Sequence, residues 1–243
     1  MTQAPKVFIF LDYDGTLVPI ARRPDLAVLS PERKKILRRL AKCPNIKIAI
    51  ISGRGLSNVK RLVGMQNIIY AGNHGFEIYV GGKHWIHPAT KKFIPTLKKI
   101  KTALKNNFRH RGLLLEDKGL TLSAHYRLIP KNIFPAFKTI FDRAIKPEEK
   151  KINITHGKKV FEVRPSADWN KGKAVKWIIK ELKLSGYMPI YIGDDKTDED
   201  AFNMLKKKGI TIHVGGGKTS AKMRIKDVKG VYCYLRDLIK NES

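Results

Sequence analysis

The stretch Lys6–Thr16 reads Lys-Val-Phe-Ile-Phe-Leu-Asp-Tyr-Asp-Gly-Thr, and the fold follows from it. Val7 to Leu11 is an unbroken apolar run with β-branched and aromatic members. That is the pattern of a short strand covered on both faces in a parallel sheet. The run stops on two acids, Asp12 and Asp14. In an extended chain, residues two apart point the same way, so the two carboxylates share one side. Gly15 lets the backbone turn sharply just past them. Ligands of open α/β sheets sit outside the carboxyl ends of the strands. Two acids crowded there repel each other unless a cation or a shared proton relieves them. The plainer reading of these residues alone is a polar turn after a buried strand.

Working outward, Ser30-Pro31-Glu32 opens a helix, with Ser as N-cap and Pro at the first helical position. Ile46–Ile51 is a second buried strand, stopping on Ser52-Gly53-Arg54. A helix carrying Leu56, Val59, Leu62 and Val63 on one face follows, then a short strand over Ile68–Ala71 ending at Gly72-Asn73-His74-Gly75. This β-α-β-α-β order predicts a parallel, doubly wound sheet. From about residue 85 the pattern changes. Helices over Lys91–Phe108 and Asn132–Ile145 alternate with hairpins over Leu113–Arg127 and Ile152–Arg164, an α+β arrangement with an antiparallel sheet. Residues 85–165 are therefore expected as a domain inserted between core segments 1–84 and 166–243. The first pattern then resumes. Asn170-Lys171-Gly172-Lys173 starts a helix, Pro189–Ile192 is a buried strand ending at Gly193-Asp194-Asp195, and Thr197 is expected to cap the next helix. Ile210–Val214 is a further strand and Val231–Ile239 a closing helix.

With 243 residues, 42% of them hydrophobic, the chain is long enough for a sizeable core and is not disordered. Its apolar runs are far too short for a membrane span, and residues 1–6 lack the features of a secretory signal. Two cysteines, Cys43 and Cys233, are too few for a disulfide framework or a cysteine zinc site, so a reducing cytoplasm is expected. The net charge of +28 fits attraction to polyanions or to phosphorylated substrates, or only a solvated surface. Residues 85–165 are the more basic part, with 19 Lys+Arg against 6 Asp+Glu. Seven of the 21 acids fall in two short stretches, Asp12/Asp14 and Asp194–Asp200, and this concentration suggests a cation site. No helix-turn-helix, zinc-finger or aromatic RNA-binding motif accompanies the charge, so no specific nucleic-acid partner is expected. Gly215-Gly216-Gly217-Lys218-Thr219 ends like a nucleotide P-loop, but the glycine that motif needs at position 212 is Ile212.

Asp12-Tyr13-Asp14-Gly15-Thr16 after an apolar strand resembles the nucleophile motif of the haloacid dehalogenase superfamily, whose members are mostly phosphatases. With Ser52, Lys171 and Asp194/Asp195 it resembles that superfamily's four motifs in their order. The resemblance implies a role for each residue. Asp12 would attack phosphorus and form an aspartyl phosphate. Asp12, Asp194 and the backbone carbonyl of Asp14 would hold Mg²⁺, with Asp195 and Asp198 as outer or water-mediated ligands. Ser52 and Lys171 would neutralise and orient the transferring group. Asp14 would protonate the leaving alcohol, then take a proton from the hydrolytic water. Singly, each has a duller reading. Ser52 could cap a helix, Lys171 is one of 49 basic residues, and Asp198 to Asp200 suit a helix N-terminus.

Further motifs are similar to those of the trehalose-6-phosphate phosphatase family. They are Gly193–Phe202, Lys159–Pro165, Trp169–Val175, Gly72–Gly75, and Leu115–Lys118 continuing through His125-Tyr126-Arg127. The family fold is a Rossmann-like core with an inserted α/β cap whose closure excludes bulk water. The resemblance implies Mg²⁺-dependent hydrolysis of trehalose 6-phosphate to trehalose and phosphate, the last step of trehalose biosynthesis; a monomer is expected. It assigns Arg54, Asn73 and His74 to the substrate, and Glu116, Lys118, Arg127 and Glu162 to the sugar from the cap. The alternative is a related phosphatase for sucrose phosphate or a mannosyl- or glucosyl-3-phosphoglycerate. A second acidic substrate group would call for Arg or Lys where Glu116 and Glu162 stand. Ordinary cross-strand charge pairing is the plainer account of the cap residues.

Overall fold

A computed structural model describes residues 5–241. Its elements run in chain order as β1 (Val7–Leu11), α1 (Pro31–Leu40), β2 (Ile46–Ile51), α2 (Leu56–Val63), β3 (Ile69–Gly72), β4 (Glu77–Val80) and β5 (Lys83–Ile86). Then come α3 (Ala89–Asn107), β6 (Leu114–Asp117), β7 (Leu122–His125), α4 (Phe134–Ile145), β8 (Ile152–Gly157) and β9 (Val160–Pro165). The chain returns with α5 (Lys171–Glu181), β10 (Met188–Gly193), α6 (Glu199–Leu205), β11 (Ile210–Val214), β12 (Met223–Ile225) and α7 (Val228–Lys240). Two units pack separately, Met1–Trp85 with Trp169–Ser243, and Ile86–Asp168.

The first unit is built on β1, whose side chains alternate between two cores. Val7, Ile9 and Leu11 join α1, α2 and α7 on one face, through Leu37, Val59 and Leu235 among others. Phe8 and Phe10 join α5 and α6 on the other, through Ile178 and Phe202. Each such buried side chain stabilises the fold by about 1.5–3 kcal/mol relative to exposure. The sheet order is β12-β11-β10-β1-β2-β3-β4-β5. β1 pairs in parallel with β10 on one side and β2 on the other. The chain order thus reverses direction at β1, which makes its carboxyl end the topological switch point where such sheets hold ligands.

Three strands extend this sheet beyond the periodicity of the sequence. β4 runs antiparallel to β3, and β4 and β5 are joined through Gly81-Gly82, both at positive φ. β12 adds a parallel edge beyond β11. Each holds only three or four residues, too few for a clear pattern. The helix boundaries shift as well: α3 begins at Ala89, α4 at Phe134 and α7 at Val228. The three tryptophans gather in this unit. Trp85 stacks on Trp177 with ring centroids 4.5 Å apart, and lies 5.4 Å from Trp169.

The second unit is an antiparallel sheet of order β6-β7-β9-β8 with α3 and α4 on one face. Phe93, Leu97, Ile100, Leu104, Phe137 and Phe141 pack there against Leu122, Phe161 and Val163. Ser166 to Asp168 belong to this unit, which carries it past the expected end at residue 165.

Candidate active site

Asp12 lies one residue beyond β1 and is buried. Its amide donates to the Ile192 carbonyl at 3.0 Å, which ties the end of β1 to β10. Lys171 opens α5, whose N-cap Asn170 accepts a bond from the Lys173 amide at 2.9 Å. That cap fixes the first turn and so the origin of the lysine side chain. Lys171 Nζ donates to Asp12 Oδ1 and to Asp198 Oδ1, each at 2.7 Å. Asp198 is fully buried and also accepts from the Tyr191 hydroxyl at 2.7 Å and from the Asp195 amide at 2.9 Å. The Asp195 side chain returns the bond to the Asp198 amide, closing a capping box around a short 3-10 turn. Asp195 therefore takes the capping place expected for Thr197, because Asp195 is the last extended residue before the chain coils.

Carboxylate oxygens of Asp12, Asp194 and Asp198 lie within 4.8 Å of one another. Gly15 permits this crowding. It sits at φ +83°, and a Cβ at that position would run into the Asp194 carboxylate. Burial pushes the Asp12 carboxyl well above the usual carboxylate range, while the Lys171 ammonium pulls it back and Asp198 and Asp194 add to the rise. Burial by itself would lower Lys171, but Asp12 and Asp198 overcome it and hold the ammonium well above its usual value. Two carboxylates thus share one buried ammonium with a third beside them, and the arrangement favours a further cation. The donors are hard oxygens, the set that a small divalent ion prefers.

The second polar tip stands at the end of β2. Ser52 is buried, and its Oγ accepts from the Arg54 amide at 3.1 Å, so it braces the turn ahead of α2; the N-cap of that helix is Gly55. Arg54 is buried with its guanidinium on the Asp14 carboxylate, at 2.6 Å from Nε and 2.7 Å from Nη2. Asn73 and His74 follow β3 with φ of 50° and 57°, a left-handed pair uncommon for non-glycine residues. Asn73 is fully buried and gives its side-chain amide to Glu77 Oε1 at 2.6 Å. The same oxygen accepts from the Leu56 amide at 2.7 Å, so Glu77 joins this turn to the start of α2. The His74 ring lies against Gly53. Asn73 thus has a place in shaping the turn, and His74 a place beside the Ser52 segment.

In the second unit, strand register aligns Glu116, Ser123, Glu162 and Thr155 in one row across β6, β7, β9 and β8. Leu122, Ala124, Phe161 and Val163 alternate with these residues toward the helices. Lys118 Nζ reaches Glu162 Oε1 at 2.6 Å, and His125 Nε2 lies 2.9 Å from Glu116 Oε2. Arg127 lies apart from the row, past the end of β7, where Nη2 donates to the Lys158 carbonyl at 2.7 Å.

Tyr191 and Glu77 hold candidate site residues in place without announcing themselves in the sequence, and His125 pairs with Glu116. Tyr191 sits inside an apolar run and reads as core. The sequence signal for His125 is its place on the polar face of β7, beside Ser123.

The chain shares the fold of a haloacid dehalogenase-like hydrolase from Bacteroides thetaiotaomicron, which superposes with a TM-score of 0.66 at 15% identity, covering 96% of this chain and 99% of that chain. The chain belongs to the trehalose-phosphatase family, whose model matches residues 10–229. A trehalose 6-phosphate phosphatase of Zea mays is 34% identical over 261 residues, covering 98% of this chain and 71% of that protein. A trehalose-phosphate phosphatase of Mycobacterium tuberculosis is 38% identical over 216 residues, covering 85% of this chain and 53% of that protein. The C-terminal domain of the C. albicans trehalose-6-phosphate phosphatase superposes with a TM-score of 0.83 at 26% identity, covering 98% of this chain and 93% of that chain. Among the described residues, no helix is long and apolar enough to cross a membrane.

Proposed function

We propose that this chain hydrolyses trehalose 6-phosphate to trehalose and inorganic phosphate with the help of Mg²⁺. The observation that carries the reading is the buried set Asp12, Lys171 and Asp198, with Asp194 beside it, at the end of β1. Asp12, Asp194 and the backbone carbonyl of Asp14 would hold the metal, with Asp198 as an outer group already engaged by Lys171 and Tyr191, and the ion would supply charge neutralisation between the anionic nucleophile and the phosphate. A carboxylate oxygen of Asp12 attacks phosphorus, and the bond from phosphorus to the sugar oxygen breaks with its electron pair going to that oxygen. Asp14 gives the leaving oxygen its proton. It then takes one from a water that attacks the aspartyl phosphate, freeing Asp12 and inorganic phosphate. Lys171 stays protonated beside Asp12 and offsets the charge on the transferring group. Ser52 and His74 belong to the phosphate-facing side of the site in this reading, and Asp195 shapes the turn that presents Asp194 and Asp198.

Recognition of the disaccharide is assigned to Glu116, Lys118, Arg127 and Glu162. Carboxylates and ammonium groups bind vicinal hydroxyls through charge-assisted hydrogen bonds. Two glutamates in one row disfavour a substrate bearing a second acid, such as a glycosyl-phosphoglycerate.

The test is phosphate release from trehalose 6-phosphate, sucrose 6-phosphate, glucose 6-phosphate and mannosyl-3-phosphoglycerate, with Mg²⁺ and with EDTA. A Mg²⁺-dependent preference for trehalose 6-phosphate is expected. Preference for another member overturns the assignment of the glutamate row. No release from any of them overturns the reaction itself.

A further inference from the structure

Arg54 is a buried cation whose donors reach three separate segments. Nε and Nη2 go to Asp14 Oδ2 and Oδ1 at 2.6 and 2.7 Å. Nη2 also donates to the Pro24 carbonyl at 2.8 Å, and Nη1 to Asn58 Oδ1 on α2 at 3.1 Å. The guanidinium carbon lies 5.2 Å from the centre of the Tyr13 ring. Two parallel N–H···O bonds make a fork that fixes the plane and the rotamer of a carboxylate. The exposures within this pair are unequal. The Arg54 side chain is 7% exposed and that of Asp14 is 38% exposed. An ionised carboxylate offers about four acceptor positions, and the fork takes one on each oxygen. A further position on each oxygen remains for proton exchange on the open side.

The buried partner is fixed and the half-open one is left accessible. Here a cation is held rigidly by Pro24 and Asn58 so that it presents a half-open carboxylate two residues from Asp12. We propose that Arg54 is the positioning residue for Asp14. It sets the orientation in which Asp14 gives a proton to the leaving sugar oxygen and later takes one from water. This inference rests on the reading of Asp14 given above.

The experiment compares Arg54→Gln, Arg54→Lys, Asn58→Ala and Asp14→Asn on two substrates. Trehalose 6-phosphate has a poor leaving group that needs a proton, whereas 4-nitrophenyl phosphate releases a stable anion that needs none. Steady-state constants are measured on the first, and first-turnover release of nitrophenolate on the second, with melting curves to confirm folding. Acid–base catalysis by a positioned group contributes about 100- to 10,000-fold, so a misaligned one should lose part of that. For Arg54→Gln, kcat on trehalose 6-phosphate should fall about 10- to 100-fold while KM moves less than about threefold, and nitrophenolate release should move less than about threefold. Asn58→Ala should show the same selectivity to a smaller extent. Arg54→Lys should remain impaired, because an ammonium cannot form the fork. Full activity in Arg54→Lys, a rise in KM with kcat intact, or equal losses on both substrates would each overturn the inference. If Asp14→Asn itself lacks the leaving-group dependence, the reading of Asp14 fails and the role of Arg54 with it. If Asp14→Asn has that dependence and Arg54→Gln does not, only the present inference fails.

Discussion

The Tyr191 hydroxyl donates to Asp198 Oδ1 at 2.7 Å, the same oxygen that accepts from Lys171. Asp198 has no exposure to water, so its charge depends on these bonds and on the one from the Asp195 amide. Tyr191→Phe removes one of them and leaves the ring packed against Phe10 and Phe202. A hydrogen bond to a charged group contributes about 1.5–3 kcal/mol, and chemical denaturation of the variant should show a loss in that range. A variant as stable as the parent would mean that the hydroxyl does not support Asp198.

Asp12→Asn keeps the size and shape of the side chain but cannot form an aspartyl phosphate. Sugar-phosphate turnover should fall by about four orders of magnitude, equivalent to about 5.5 kcal/mol in the barrier. The fold should persist, because Lys171 retains Asp198 as a partner. Circular dichroism and phosphate release check both parts. Retention of more than about a tenth of the activity removes Asp12 as nucleophile.

Gly15→Ala should weaken the cation site without replacing any proposed ligand. The new methyl group meets the Asp194 carboxylate, and the backbone there is at φ +83°. Ligands that bind the folded state raise its stability by about 2.7 kcal/mol at one hundred times the dissociation constant. Added Mg²⁺ should therefore raise the melting temperature of the parent, EDTA should reverse the rise, and Gly15→Ala should show a much smaller shift. An equal Mg²⁺ response in the two proteins would place the ion elsewhere.

Burial raises the Tyr13 and Tyr70 phenols to about 12 from an ordinary value of 10.0. Their hydroxyls donate to the carbonyls of Ala27 and Met65. The folded state prefers the neutral phenol, so this contribution to stability is intact below pH 10 and falls as pH rises through about 12. In an alkaline titration followed by the phenolate absorption band, both should ionise late and together with loss of near-ultraviolet circular dichroism. Ionisation of all eight tyrosines near pH 10 in a folded protein would contradict this.

What could be read in the sequence, and what could not, divides along physical lines. The apolar run Val7–Leu11, the Ser52 tip and the Gly193-Asp194-Asp195 tip were legible because each polar group ends a continuous buried strand. Lys171 was legible only as part of that ordered set, since nothing local separates it from the other basic residues. The fork from Arg54 to Asp14 spans 40 positions, and the bond from Lys171 to Asp12 spans 159. Periodicity carries no record of such pairings. Tyr191 hides inside an apolar strand, and Glu77 lies in the four-residue strand β4 between turns. Thr197 looked like a helix cap because the 3-10 turn ahead of α6 has no periodic signature of its own.

The tryptophan stack has an optical consequence. Trp85, Trp169 and Trp177 are the only three tryptophans in the chain, and they form one contact group. Trp85 ends the first segment of the first unit and Trp169 begins its second. The tryptophan emission of the protein therefore comes from a single place, the point where the chain leaves this unit and rejoins it. With excitation on the red edge of the absorption band, where the eight tyrosines do not absorb, a quencher or a change in emission maximum reads that junction with no dye attached.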